Sequence, residues 1–140
     1  MRVGTVKEIK NHEYRVGLTP ESVRELSING HEVWVETGAG LGIGVSDADY
    51  QAAGGQIRQT AAEIFAECEM IVKVKEPQAV ERAMLREGQV LYTYLHLAPD
   101  PEQTADLVKS GVTAIAYETV TGPGNSLPLL KPMSQVAGRM

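Results

Sequence analysis

Three consecutive pieces of sequence decide the fold: QVLYTYL at residues 89–95, PEQTADLVKS at residues 101–110 and VTAIAY at residues 112–117. The first and third are short apolar runs. The second has helical spacing between Pro101, a good first helical residue, and Gly111, a helix stop. A strand, a helix and a second strand in this order form the repeating unit of a parallel sheet.

The same alternation runs along the whole chain. Apolar runs predict strands at Val3–Val6, Glu32–Glu36, Met70–Lys75, Gln89–Leu95 and Val112–Tyr117, with a weak short one at Gln56–Arg58. Amphipathic stretches predict helices from Pro20 to Gly30 and over Asp47–Ala53, Ala61–Glu67, Gln78–Arg86 and Pro101–Ser110, with Thr19 and Thr60 as N-caps. This pattern predicts an α/β fold: an open, mostly parallel, Rossmann-like (flavodoxin-like) sheet with helices on both faces.

Composition, net charge and cysteine content argue against several classes of function. The chain has 140 residues, 13 Lys+Arg, 18 Asp+Glu and a formal net charge of −5, and 43% of its residues are hydrophobic. These values predict one globular domain, and the acidic balance argues against nucleic acid as a partner. The single cysteine, Cys68 between two glutamates, predicts an inert buried thiol and a reducing compartment. No apolar stretch approaches a membrane span or a signal peptide, so we expect a cytoplasmic protein.

A glycine-rich run, Gly38–Gly44, follows the second strand. It lacks the third glycine of the dinucleotide fingerprint, because Ile43 stands at that position, and Ser46–Asp49 predicts a helix cap where the second strand should follow. We interpret the run as a flexible loop and predict no complete nucleotide site in this chain.

Four polar residues are expected at one edge of the sheet. Arg15 lies in the loop after the first strand, Lys75 ends the Met70–Lys75 strand, His96 follows the next strand and Glu118 follows the last. The carboxyl ends of parallel strands meet at one crevice, where ligands bind. Arg15 could instead be a solvated charge, His96 a structural histidine, and Glu118 a neutralising partner of Arg15 or Lys75.

A second lysine, Lys73, is an alternative to Lys75 as the lysine of the site. The two share one strand face by the period of two, and Lys75 is the better functional candidate because it lies nearer the strand end.

An arginine, a lysine and a histidine together suit a small oxo acid. A guanidinium grips a carboxylate in two parallel bonds, an ammonium polarises the neighbouring carbonyl oxygen, and an imidazole exchanges a proton near neutral pH. No metal-ligand spacing, carboxylate pair or nucleophile elbow accompanies them, so the sequence argues against a metalloenzyme, a glycosidase and a serine hydrolase.

Longer motifs resemble the amino-terminal part of the alanine dehydrogenase family. They are Lys7–Lys10 with Glu13, Arg15–Val16, Leu18–Pro20, Gly38–Gly44 with Asp47, Tyr50, Ala53 and Gly54, Val72–Pro77, Tyr94–Ala98, Ala116–Thr119, Pro132–Ser134 and Val136–Met140. The resemblance covers essentially the whole chain.

The resemblance implies the substrate-binding portion of an NAD-dependent enzyme that interconverts L-alanine with pyruvate and ammonia. Arg15 and Lys75 would bind substrate, His96 would donate and accept the proton, and Ser134 would contact NAD, which a domain absent from this chain would mainly hold. Residues 1–132 would form the substrate-binding domain and residues 133–140 the truncated start of an interdomain helix. The family also implies a homo-oligomer, a hexamer for the complete enzyme, and suggests that the isolated chain is inactive.

Two other interpretations stay open. One is the NAD-binding portion of a proton-translocating transhydrogenase, which is similar through the first motif. The other is a catalytically silent domain that binds an oxo acid or supports oligomer assembly.

Overall fold

Six parallel strands form one sheet in a computed structural model that describes residues 1–140. The strands are β1 (Arg2–Thr5), β2 (Glu32–Glu36), β3 (Gln56–Arg58), β4 (Met70–Val72), β5 (Val90–Thr93) and β6 (Thr113–Ala116). Their spatial order is β3-β2-β1-β4-β5-β6. This is the Rossmann strand order, so the predicted open parallel sheet is confirmed.

Six α-helices connect or follow the strands. They are α1 (Pro20–Ile28), α2 (Asp47–Ala52), α3 (Ala61–Glu67), α4 (Ala79–Arg82), α5 (Pro101–Ser110) and α6 (Lys131–Ala137), with short 3₁₀ turns at Leu41–Ile43, Tyr117–Thr119 and Pro123–Asn125. The predicted caps are present: Thr19 accepts from the Ser22 amide, and Thr60 forms a reciprocal capping box with Glu63. None of the helices is long and apolar enough to span a bilayer.

Each face of the sheet has its own apolar core, as predicted for helices on both faces. On one face, Val3, Val33 and Val35 of β1 and β2 pack with Val23 of α1 and Tyr50 of α2. On the opposite face, the core includes Ile64 and Phe65 of α3, Ile71 of β4, Leu91 of β5 and Leu107 of α5. Gly4 permits the second packing, because a Cβ there would lie 2.3 Å from Ile64 Cγ2.

One part of the first face lies open beside the β4 and β5 strands. Here Met70, Val72 and Tyr92 line a cavity of about 750 Å³, together with Tyr94 and Tyr117. The cavity forms because α1 and α2 pack over the β1–β3 half of the sheet, whereas α5 packs on the opposite face.

Several predicted elements are shorter than expected: β5 and β6 lose residues at both ends, and the fourth strand and the fourth helix end early. The fourth strand ends at Val72, not Lys75, because the Val74 amide leaves the sheet pattern and donates to the Glu8 carboxylate. Helix α4 ends at Arg82, not Arg86, because the following amides of Met84 and Leu85 switch to carbonyls three residues back.

The Cys68 thiol is buried, as predicted. The residue has no exposed surface, and burial raises the pKa of the thiol to about 12. Because a thiolate is the reactive form, both access and charge state oppose reaction in the folded protein.

We therefore expect Cys68 to react with a water-soluble thiol reagent at about pH 8 only as fast as the protein unfolds. Absorbance of the released reporter, with urea-unfolded protein as the fully reactive control, measures this rate. Rapid stoichiometric labelling of the native protein would contradict the buried position.

Candidate substrate site

The connections reverse direction between β1 and β4, and a crevice forms there at the carboxyl ends of the strands. Arg15 lies in the loop after β1 (residues 6–19), and Lys75 lies in the loop after β4 (residues 73–78). This reversal is the position at which open parallel sheets bind ligands. The two cationic residues predicted from sequence therefore flank the expected binding crevice.

The Glu8 carboxylate joins these two loops. Its Oε1 accepts a 2.7 Å hydrogen bond from the Val74 amide, and its Oε2 lies 3.0 Å from Lys73 Nζ. A second ion pair, between Lys10 and Glu76, connects the same loops nearer the surface. The segments that carry Arg15 and Lys75 are thus held to one another by side chains 65 or more positions apart in sequence.

Lys73 lies at the centre of a buried charged cluster. It has no exposed surface, and its Nζ lies 2.9 Å from Glu81 Oε1 as well as 3.0 Å from Glu8 Oε2. Burial raises the pKa of Glu8, and the neighbouring Lys73 ammonium opposes that shift. Lys73 therefore has a structural role. Lys75 is half-buried, and its ammonium group makes no hydrogen bond. The sequence prediction that preferred Lys75 agrees with this difference, although it missed Glu8 and Glu81.

Arg15 is held side-on by Glu13. Its Nε and Nη2 atoms donate to the two Glu13 carboxylate oxygens, both at 2.7 Å, and these bonds lower the pKa of Glu13. The Arg15 side chain remains 46% exposed, and its Nη1 makes only a 3.9 Å contact with Met133 Sδ. The guanidinium therefore keeps one edge, formed by Nη1 and Nη2, for a second carboxylate.

His96 follows β5, and its exposed side chain makes no hydrogen bond within the chain. Its backbone has a φ of 48°, in the left-handed region. The Glu118 carboxylate accepts hydrogen bonds from the His96 amide at 2.7 Å and the Leu95 amide at 3.1 Å. The interpretation of Glu118 as a neutralising partner of Arg15 or Lys75 is wrong: the Arg15 partner is Glu13, and Glu118 binds the backbone beside His96.

The β5 strand is joined directly to the Lys75 loop. The Thr93 hydroxyl donates a 2.9 Å hydrogen bond to the Lys75 carbonyl oxygen. His96 lies three residues beyond Thr93, one strand away from the crevice between β1 and β4. The structure thus brings the three predicted residues to one edge, with no hydrogen bond among their side chains.

Ser134 lies on α6 at the same edge. Its hydroxyl donates to the Leu130 carbonyl at 3.3 Å, and the preceding residue, Met133, contacts Arg15. The side of α6 that carries Met133 therefore borders the Arg15 end of the site.

The glycine-rich run, interpreted from sequence as a flexible loop, connects β2 to α2. It contains the 3₁₀ turn Leu41–Ile43, and the Gly38 amide donates a 2.8 Å hydrogen bond to Asp47. Asp47 also accepts a 2.6 Å hydrogen bond from the Thr37 hydroxyl. Gly42 packs closely on the Arg15 loop, because a Cβ there would lie 2.2 Å from the Tyr14 carbonyl oxygen. The Asp47 carboxylate thus occupies the Gly38 amide and the Thr37 hydroxyl, two donors that a phosphate could otherwise use.

Comparison with known proteins identifies relatives over the whole chain. The family described as alanine dehydrogenase/PNT, N-terminal domain matches residues 4–137. This chain is 56% identical over 140 residues to a protein named alanine dehydrogenase from Halomonas elongata. It is 52% identical over 140 residues to a protein of the same name from Mycobacterium tuberculosis (strain CDC 1551 / Oshkosh). Those matches cover 100% of this chain and 38% of each relative, so the chain spans well under half the length of these relatives.

Two solved structures are similar. One, titled L-alanine dehydrogenase, has a TM-score of 0.96 and 53% identity, covering 99% of this chain and 38% of its own. A transhydrogenase from Sinorhizobium meliloti has a TM-score of 0.79 and 32% identity, covering 84% of this chain and 34% of its own.

The two neighbouring lysines should respond differently to substitution. Lys73→Ala leaves the buried carboxylates of Glu8 and Glu81 without their cation, and we expect it to lower the free energy of unfolding by about 3–5 kcal/mol. The matched variant Lys75→Ala should change it by about 0–1 kcal/mol, because no ion pair is lost. Urea denaturation followed by circular dichroism measures both. Equal losses would contradict the assignment of Lys73 to structure and Lys75 to the site.

Proposed function

The chain belongs to the alanine dehydrogenase/PNT N-terminal domain family, and from this premise we propose that it is the substrate-binding portion of an NAD-dependent L-alanine dehydrogenase. The reaction is the reversible oxidative deamination of L-alanine to pyruvate and ammonia. The observation that carries the proposal is the placement of Arg15 and Lys75 on the two sides of the crevice where the sheet connections reverse. Each presents a cationic group with unused hydrogen-bonding capacity toward a small acid.

Arg15 binds the substrate carboxylate in this proposal. Glu13 fixes one edge of the guanidinium with two 2.7 Å hydrogen bonds, which orients the other edge before a ligand arrives. A fixed guanidinium loses less side-chain freedom on binding than a mobile one. The Glu13 charge also reduces the net charge that the ligand meets, so recognition depends on the paired hydrogen bonds more than on attraction alone.

Lys75 binds the keto oxygen of pyruvate. Its ammonium has no hydrogen-bond partner, while its backbone carbonyl is fixed by the Thr93 hydroxyl at 2.9 Å. A cation beside the carbonyl oxygen withdraws electron density and makes the carbonyl carbon more electrophilic. That polarisation supports the attack of ammonia in one direction and the loss of ammonia in the other.

His96 donates and accepts the proton in this proposal. Carbinolamine and imine chemistry at a carbonyl carbon needs a group that both gives and takes a proton near neutral pH, and an imidazole does so. The exposed ring of His96 is not committed to any partner within the chain. It follows β5, one strand from the crevice.

NAD binds mainly outside these residues in this proposal, with Ser134 as a contact from α6. The Gly38 amide and Thr37 hydroxyl are already used by Asp47, so these two donors are not open to a pyrophosphate. The relatives are more than twice as long as this chain. We therefore assign residues 1–132 to substrate binding and residues 133–140 to the start of an interdomain helix, although α6 itself begins two residues earlier, at Lys131, and ends at Ala137. A cytoplasmic homo-oligomer belongs to the same proposal.

A transhydrogenase portion is the second candidate, on the 32% identity and TM-score of 0.79 to the Sinorhizobium meliloti protein. A silent domain that binds an oxo acid is the third. The higher identity of 53% and TM-score of 0.96 to the structure titled L-alanine dehydrogenase favour the first candidate.

Pyruvate binding tests the proposal directly. We expect isothermal calorimetry to detect pyruvate binding to the purified chain, weakened roughly tenfold or more in Arg15→Ala because a charged bidentate contact is lost. Arg15→Lys, which keeps the charge but not the fork, should recover only part of the affinity.

Acetate serves as the ligand control, because it has the carboxylate without the keto oxygen. Lys75→Ala should reduce the preference for pyruvate over acetate while leaving acetate binding nearly unchanged. No pyruvate binding, or binding indifferent to Arg15, would refute the proposed function and leave the transhydrogenase and silent-domain candidates.

A further inference from the structure

The backbone at His96 adopts a conformation that ordinary side chains rarely take. Its φ of 48° lies in the left-handed region, where a Cβ crowds the backbone. Such a conformation persists at a non-glycine residue when surrounding contacts hold it in place, and strained residues of this kind cluster at functional sites. The contacts around His96 therefore decide where its imidazole lies.

Both polar ends of the peptide group between Leu95 and His96 are held by side chains. Its N–H, which belongs to His96, donates to Glu118 Oε1 at 2.7 Å. Its carbonyl, which belongs to Leu95, accepts from Gln103 Nε2 at 3.0 Å. A peptide plane fixed at both ends fixes the N–Cα bond of His96, and together with the φ of 48° about that bond it sets the direction in which the Cα–Cβ bond leaves the backbone. Here that bond carries the imidazole.

Glu118 also contacts the amide that precedes the His96 amide. Its carboxylate also accepts from the Leu95 amide, at 3.1 Å through Oε1 and 3.3 Å through Oε2. Successive amides that point to one side form a concavity suited to an anion, and here a side-chain carboxylate fills it. Charge-assisted hydrogen bonds of this kind are stronger than neutral ones.

Gln103 contacts the Leu95–His96 peptide from the side opposite Glu118, and its side chain has little conformational freedom. Its side chain is completely buried, and its position is set by the first turn of α5, where Asp100 accepts from the Gln103 amide at 3.0 Å. Leu95 itself is only 2% exposed. The rigid helix and the buried leucine therefore hold one side of the peptide, and the Glu118 carboxylate holds the other.

We propose that Glu118, supported by Gln103, is a positioning residue that orients His96 toward the substrate by fixing the Leu95–His96 peptide. This inference rests on the proposed function, since it assigns His96 a partner in oxo-acid binding. Glu118 makes no hydrogen bond to the imidazole ring, so it acts through the backbone and does not take part in proton transfer.

The pH dependence of pyruvate affinity is the readout that a merely structural role would not change. In the wild-type chain, affinity should fall in a step as the pH rises, because a protonated imidazole at the site attracts the anion and a neutral one does not. His96→Ala should abolish this step. Glu118→Ala should also abolish it although the imidazole is still present, whereas Glu118→Gln, which keeps one acceptor oxygen, should retain part of it.

Two further variants serve as a control and as a second test. Glu102→Ala removes a carboxylate whose side chain is 79% exposed and which contacts neither residue of the peptide, so it should keep the full step. Gln103→Met has similar size and removes the amide, whose Nε2 donor binds the Leu95 carbonyl and whose Oε1 has no partner, so it should weaken the step without unfolding the protein. It therefore tests the inference even if Glu118→Ala fails to fold.

The outcomes separate the two proposals. Absence of pyruvate binding in the wild type would refute the proposed function and this inference with it. Binding with a pH step that survives in Glu118→Ala, or in Gln103→Met if the first variant does not fold, would overturn the positioning role alone. A wild-type step that also survives in His96→Ala would overturn it as well.

Discussion

The buried contacts of Glu8 are the constraint on which the site depends. One carboxylate accepts the Val74 amide and pairs with the Lys73 ammonium, which has no exposed surface. A charged group with no access to water must keep its partners, because an unpaired buried charge is strongly unfavourable. The loop after β1 therefore remains next to the loop after β4. Arg15 and Lys75, which these loops carry, are positioned as a consequence of packing that lies beneath them.

The charges that carry the proposed chemistry are separated from the charges that hold the fold. Lys73 is enclosed by Glu8 and Glu81, while Lys75, two residues later, has an ammonium without a partner. Arg15 shows the same division within one side chain, since Glu13 occupies one edge of the guanidinium and the other edge stays accessible. A site built in this way can exchange ligands without disturbing the contacts that keep it together.

Much of the fold could be predicted because it depends on local patterns. Apolar runs, helix caps and glycine stops lie within a few residues of one another, and they indicate parallel strands whose carboxyl ends share an edge. That edge was sufficient to select Arg15, Lys75 and His96. The partners could not be selected in the same way, since Glu8 and Lys73 lie 65 positions apart and Glu118 lies 22 positions from the His96 amide. The early end of β4 has the same origin, because the Glu8 carboxylate competes for an amide of that segment.

If Glu8 holds the two loops of the site together as one unit, the Val74 amide is the group that reports it, because this amide lies outside the β4 strand yet donates to Glu8 at 2.7 Å. Amide hydrogen exchange followed by NMR measures this. We expect the Val74 amide in the wild type to exchange as slowly as the strand amides of β4, and at least roughly tenfold faster in Glu8→Ala relative to those strand amides. Exchange at the rate of an exposed loop in the wild type, or a rate unchanged by the substitution, would contradict this role of Glu8.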